Sequence, residues 1–117
     1  MVFTIDVKFG NNVIIPMAID LGYNGNLLMP LKEFNKISSQ KKTFTTPAKF
    51  NTPGSDNIIN RLYIVDTINI KHNWFVTSVS SNETVKERLI GLQFFRRFDF
   101  VIFDFINKQI YTAKKVW

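Results

Sequence analysis

The chain has 117 residues, of which 45% are hydrophobic and 12 are Phe, and it carries a formal net charge of +6. That length suits one domain over residues 1–117, and the apolar content is enough for a packed core rather than a disordered chain. With no cysteine and a single histidine, disulfides, thiolate chemistry and the usual Cys/His zinc patterns lose their basis. No run of about 18 apolar residues occurs, which argues against a membrane-spanning helix.

The basic pI near 9.7 raises nucleic acid as a partner, since clustered Lys and Arg bind phosphate by releasing counterions. The pairs Lys41-Lys42, Arg96-Arg97 and Lys114-Lys115 are far apart in sequence, so the charge reads as solvated surface and nucleic acid is disfavoured. Residues 1–9 lack the basic head and apolar block of a signal peptide. The compartment stays open, including export after removal of a leader.

Phe3, Ile5, Val7 and Phe9 alternate with Thr4, Asp6 and Lys8, which predicts a half-buried strand. After a turn at Gly10-Asn11-Asn12, residues 13–19 form a second apolar strand, and Pro16 implies an edge or bulged position because proline cannot donate a ladder hydrogen bond. This strand delivers Asp20 into a loop over residues 20–26 that holds two glycines and two asparagines, residues suited to tight turns.

Leu27-Leu28-Met29 is again extended. Pro30 is expected at the first position of a short helix whose apolar face is Leu31, Phe34 and Ile37. Residues 38–57 are polar and read as a hairpin or loop, with the strongest turn signal at residues 52–56. Leu62, Ile64, Ile68 and Ile70 mark a long strand, and residues 74–79 another.

Beyond a polar connection at residues 81–84, Leu89-Ile90-Gly91-Leu92 leads into Phe94, Phe95 and Phe98, spaced for one face of a second short helix and assigned to the core. Residues 100–105 and 109–112 then flank a turn at Ile106-Asn107-Lys108 and form a terminal hairpin. The order of strand, glycine-containing site and short helix thus occurs twice, at residues 20–37 and 89–98. Among the remaining polar residues, Arg97 and Asp99 read as solvent-exposed rather than as an ion pair, His72 as a solvated imidazole, and Asp104 as a hairpin residue. Asn82-Glu83-Thr84 fits a glycosylation acceptor, a short pattern that does not establish secretion.

The segment Met17-Ala18-Ile19-Asp20-Leu21-Gly22-Tyr23-Asn24-Gly25 resembles the hydrophobic strand and Asp-Thr/Ser-Gly loop of retropepsin-like aspartic proteases. Residues 89–105 look like the second signature of that family, an apolar-apolar-Gly turn opening a helix that ends in Arg-Phe, then a strand and hairpin. The resemblance spans nearly the whole chain. It implies a mainly β, retropepsin-like acid-protease lobe with one or two short helices, either a homodimer subunit or one lobe of a longer protease.

On that resemblance Asp20 is the catalytic carboxylate, Leu21 and Gly22 complete the active-site loop, Gly91 forms the turn beneath it, and Thr52, Pro53, Gly54 and Ser55 take the place of a flap. The implied partners are a peptide or protein substrate and a second lobe, and no cofactor or metal is implied. Leu21 departs from the family pattern, which has a Thr or Ser hydroxyl that ties the two loops together across the dimer axis. An inactive peptide-binding or dimerisation module on the same fold is therefore the alternative function, and Asp20 has an alternative role as a turn residue satisfying backbone amides.

Overall fold

The computed structural model describes residues 3–52 and 55–114, without the side chains of 48–52, 55–59 and 114. Strand β1 (Thr4–Lys8) and strand β2 (Ile14–Ile19) form an antiparallel hairpin in which Ile5 faces Met17. The alternation predicted for the N-terminus holds, with Phe3, Ile5, Val7 and Phe9 all buried. Pro16 opposes Asp6 on β1, while the other neighbour of β2 reaches only Ala18 and Ile19. The missing proline N–H therefore faces an unpaired stretch of edge, and no ladder bond is lost.

After β3 (Leu27–Leu28) comes helix α1 (Leu31–Ser38), which buries Phe34 and Ile37. Pro30 is its N-cap, one position earlier than expected, and its carbonyl accepts from Phe34 N at 3.0 Å to close the first turn. Strand β4 (Phe44–Thr52) pairs with the long strand β5 (Ser55–Ile70) through nine registered positions, from Phe44↔Tyr63 to Thr52↔Ser55. Much of the polar segment at residues 38–57, expected as hairpin or loop, is thus part of a regular β hairpin. The partner strand supplies hydrogen bonds that local polarity does not reveal, and Phe44 stacks on Tyr63 with ring centroids 5.0 Å apart.

Strand β5 turns into β6 (Asn73–Ser81) through Lys71 and His72, both at positive φ (47° and 69°). Two such residues in succession match the twist of a tight hairpin. His72 is exposed there, and its backbone N–H donates to the Asn69 side chain at 3.2 Å. Two-residue β7 (Leu89–Ile90) and helix α2 (Leu92–Phe95) follow, and β8 (Phe98–Asp104) and β9 (Gln109–Lys114) make a separate two-stranded sheet.

Phe94, Phe95 and Phe98 are all buried, as expected of core residues, but Phe98 opens β8 instead of extending the helix. The second helix therefore ends before Arg97-Phe98, in contrast to the expected Arg-Phe ending. The aromatic cluster is satisfied from two elements: Phe75 packs edge-on against both Phe94 and Phe98. Arg97 is not simply solvated either. Its guanidinium lies 4.3 Å from the Phe94 ring centroid and donates to the carbonyls of Phe94 and Val76, each at 3.0 Å. Burial holds its pKa below the ordinary arginine value.

The main sheet runs β1-β2-β7-β3-β6-β5-β4, and a further pairing of Lys8 with Asn69 joins β1 to β5, curling the sheet around the core. Met17, Leu27, Ile64, Ile68, Val79 and Ile90 fill the interior from different strands, with Met29 just after β3. At the root of the β4–β5 hairpin Asp66, 2% exposed, accepts from Gly10 N at 3.2 Å and Thr67 N at 2.8 Å and faces Lys41 Nζ at 3.1 Å. Paired and hydrogen-bonded in this way, a buried carboxylate is tolerated.

Candidate active site

Asp20 follows the last residue of β2, where the chain leaves the sheet. Its backbone N–H still donates to Ile90 O at 3.0 Å, continuing the parallel β2–β7 pairing of Ile19 with Ile90. The chain then folds back on itself: Gly22 N donates to Asp20 Oδ1 at 2.9 Å, and Tyr23 N to Asp20 O at 3.2 Å. One carboxylate oxygen is thereby fixed by a backbone amide, while among the described residues no group donates to the other. The side chain is partly exposed, and a Cβ at position 22 would stand 3.1 Å from Asp20 Oδ1, so glycine gives the carboxylate its room.

The loop is braced from the second glycine turn. Gly91 N donates to Asn26 O at 2.7 Å, Leu92 N to Tyr23 O at 2.8 Å and Gln93 N to Gly25 O at 3.1 Å. These amides belong to the start of α2, where N–H groups have no intrahelical partner, so the loop carbonyls satisfy helix end and loop together. The sequence-predicted residues Asp20, Gly22 and Gly91 are therefore brought into one cluster.

Leu21 sits in the same loop with 47% of its surface exposed. The fourth group, Thr52 and Ser55, forms the last described pair of the β4–β5 hairpin; Pro53 and Gly54 lie outside the described residues.

Around Asp20 is a depression of about 500 Å³ walled by Ala18, Lys86, Glu87, Arg88 and Leu89. Arg88 donates through Nε to Glu33 Oε1 on α1 at 2.8 Å, and through its terminal nitrogen to the same oxygen. Desolvation pushes the Glu33 pKa up, but the Arg88 hydrogen bond, with the lesser backbone and charge contributions, holds it below the usual carboxylate value. The 82–88 connection is thus tied to α1 beside the site.

Sequence reasoning missed Tyr23, Gly25 and Arg61. The Tyr23 ring lies where any side chain at 25 or 91 would have to go, a signal present in the pairing of one aromatic with two glycines but invisible until the loops meet. Burial raises the Tyr23 pKa, while the positive charge of Arg61 on β5 acts in the opposite direction.

A curled β sheet with a long hairpin, an Asp-x-Gly loop at the end of a strand and a second glycine turn bracing that loop is the retropepsin-like fold of aspartic proteases. EIAV protease in complex with an inhibitor superposes with a TM-score of 0.62 at 13% identity over 80% of this chain and 84% of that one. A retropepsin-like aspartic protease from Rickettsia conorii gives 0.61 at 15% identity, covering 98% and 85%. The retroviral protease-like domain of Ddi1 from Leishmania major gives 0.63 at 12% identity, covering 99% and 95%. The sequence matches no protein-family model and no curated protein; the likeness is one of fold.

Proposed function

We propose that this chain is an aspartic endopeptidase lobe whose Asp20 pairs with the equivalent carboxylate of a second copy. The observation that carries this function is the half-exposed Asp20 carboxylate, held through one oxygen by Gly22 N in a loop braced by residues 91–93. Two carboxylates about 3 Å apart cannot both ionise easily, so one holds a proton while the other is charged. The charged one takes a proton from water as it attacks the peptide carbonyl, and the protonated one hydrogen-bonds the developing oxyanion. The β4–β5 hairpin, including Thr52 and Ser55, covers the extended substrate in this scheme.

A second copy has an apolar surface to meet. Phe100 and Ile102 on β8 and Tyr111 on β9 are exposed, and their register puts them on one face of the terminal hairpin, with Ile102 opposite Tyr111. Leu21 supports a second function, a non-catalytic peptide-binding or dimerisation module, because leucine offers no hydroxyl to join two loops.

The experiment is mass-spectrometric detection of cleavage in a diverse peptide mixture from acid to neutral pH, comparing wild type with Asp20→Asn at concentrations where sedimentation shows a dimer. Cleavage abolished by the substitution, in a protein that remains folded, is the expected result. No cleavage by a folded wild-type dimer refutes the peptidase and leaves the binding module.

A further inference from the structure

A pocket of about 420 Å³ opens beside the Asp20 loop, bounded by Tyr23 and Asn24 of that loop, Arg61 at the root of the β4–β5 hairpin, and Asn82 and Val85 of the 82–88 connection. The same connection walls the Asp20 depression through Lys86, Glu87 and Arg88, so the pocket and the carboxylate share one rim. In the proposed function an extended peptide lies under the hairpin and across Asp20, beside the 82–88 connection that borders this pocket.

Among the described residues, Arg61 and Tyr23 are the ionisable side chains that line the pocket, and no acidic one does so. Its Nε and Nη2 donate to Ser80 Oγ at 3.1 and 2.7 Å, and the guanidinium lies 5.8 Å from the Tyr63 ring centroid. Serine thus anchors one edge of the fork, and of five N–H donors three have no partner among the described residues. Neither of the ion pairs among the described residues uses Arg61. Leu28 and Val85 add apolar wall, enough to cover the methylenes of an acidic side chain below its carboxylate.

We infer that Arg61 is a specificity-determining residue which selects substrates with a carboxylate, supplied by an Asp or Glu side chain, at one position flanking the site of action. The inference rests on the proposed function to the extent that an extended peptide occupies the Asp20 cleft. The planar guanidinium with one edge held by Ser80 is preorganised for a two-point contact to carboxylate, which lysine cannot reproduce. The +6 charge of the chain favours encounter with acidic peptides.

Paired C-terminally amidated peptides, differing only in Glu against Gln at each position in turn, test this with wild type, Arg61→Met and Arg61→Lys. Cleavage is read as kcat/KM, and binding by fluorescence anisotropy on the Asp20→Asn protein. At one position Glu is expected to exceed Gln by about 10- to 100-fold in wild type, the scale of a charge-assisted hydrogen bond. The ratio falls to about one in Arg61→Met and is partly kept in Arg61→Lys, which a merely structural arginine would not produce.

Parity of Glu and Gln in wild type, or a preference that survives Arg61→Met, overturns the inference while leaving a peptidase standing if cleavage occurs. A preference only for free over amidated C-termini also overturns it, by moving the carboxylate from side chain to chain end. Arg61-dependent binding without cleavage upholds the specificity and refutes the peptidase. No binding and no cleavage of any peptide overturns both.

Discussion

Gly91 lies against Tyr23 so closely that a Cβ at position 91 would stand 2.5 Å from Tyr23 Cδ2, 2.6 Å from Tyr23 O and 2.3 Å from Gly25 O. Two of those atoms are backbone and cannot rotate away. Gly91→Ala therefore has to displace the loop that carries Asp20, and overpacking of this kind costs about 1–3 kcal/mol. Urea unfolding should show that loss, with Tm lower by roughly 5–15 °C. Wild-type stability in Gly91→Ala would mean the loop yields freely and does not hold Asp20 in place.

At Leu21 the expected gain runs the other way. Leu21→Thr provides each loop of a dimer with a hydroxyl able to donate to its partner. Two such hydrogen bonds at about 1 kcal/mol each in the proposed dimer should raise kcat/KM by up to about thirtyfold and tighten the dimer. Kinetics and association unchanged by the substitution would show that the two loops do not meet at this residue.

Self-association should depend on the outer face of the terminal hairpin. Ile102 is exposed opposite Tyr111, whereas Val101 and Phe103 pack on the core. Ile102→Lys therefore leaves the interior untouched but puts a charge on the apolar face. A dimer weakened by at least about tenfold in sedimentation equilibrium is expected, on the scale of one buried aliphatic side chain. An unaltered dissociation constant would place the interface elsewhere.

The β8–β9 turn provides a pH test. Asp104 Oδ1 accepts from Ile106 N and Asn107 N, each at 3.1 Å, and Oδ2 from Asn107 Nδ2 at 2.9 Å. The Asn107 backbone and side-chain bonds hold its pKa below the ordinary carboxylate value, against a smaller desolvation effect. A depressed folded pKa stabilises the turn fully above the unfolded value of about 3.9, and this is lost as pH falls through the folded value. NMR titration should show the low Asp104 pKa moving part of the way toward ordinary in Asn107→Ala, which removes the side-chain bond and keeps the backbone N–H; identical titrations would remove that side-chain bond as a cause.

Several features of the molecule could be read before folding because they depend on local chemistry. The alternation of Phe3, Ile5, Val7 and Phe9 produces a one-sided strand, and glycines at 22 and 91 mark places where the backbone needs room. The spacing of Leu31, Phe34 and Ile37 specifies a short helix on the core. Asp20 at the end of an apolar strand, with a second glycine turn far downstream, points to the fold.

Other features depend on residues far apart in sequence. The polar segment from residue 44 becomes strand because β5 offers a hydrogen-bonding edge, not through its own hydrophobic pattern. Phe98 opens β8 and is met there by Phe75 of β6, twenty-three residues earlier. Arg97 is held by the Val76 carbonyl on β6, a contact that its sequence neighbours do not announce.

The same distinction holds at the candidate site. Asp20 and Gly22 are legible in the sequence as a candidate site because their loop is matched by a second glycine turn at Gly91, not from the loop's residue types alone. Tertiary structure decided that Tyr23 is wedged between Gly25 and Gly91, and that Arg61 reaches the rim of the Asp20 loop from the root of a hairpin forty-one residues away. Contacts of that kind follow from the register of paired strands, and register is set by burying one face of the whole sheet at once.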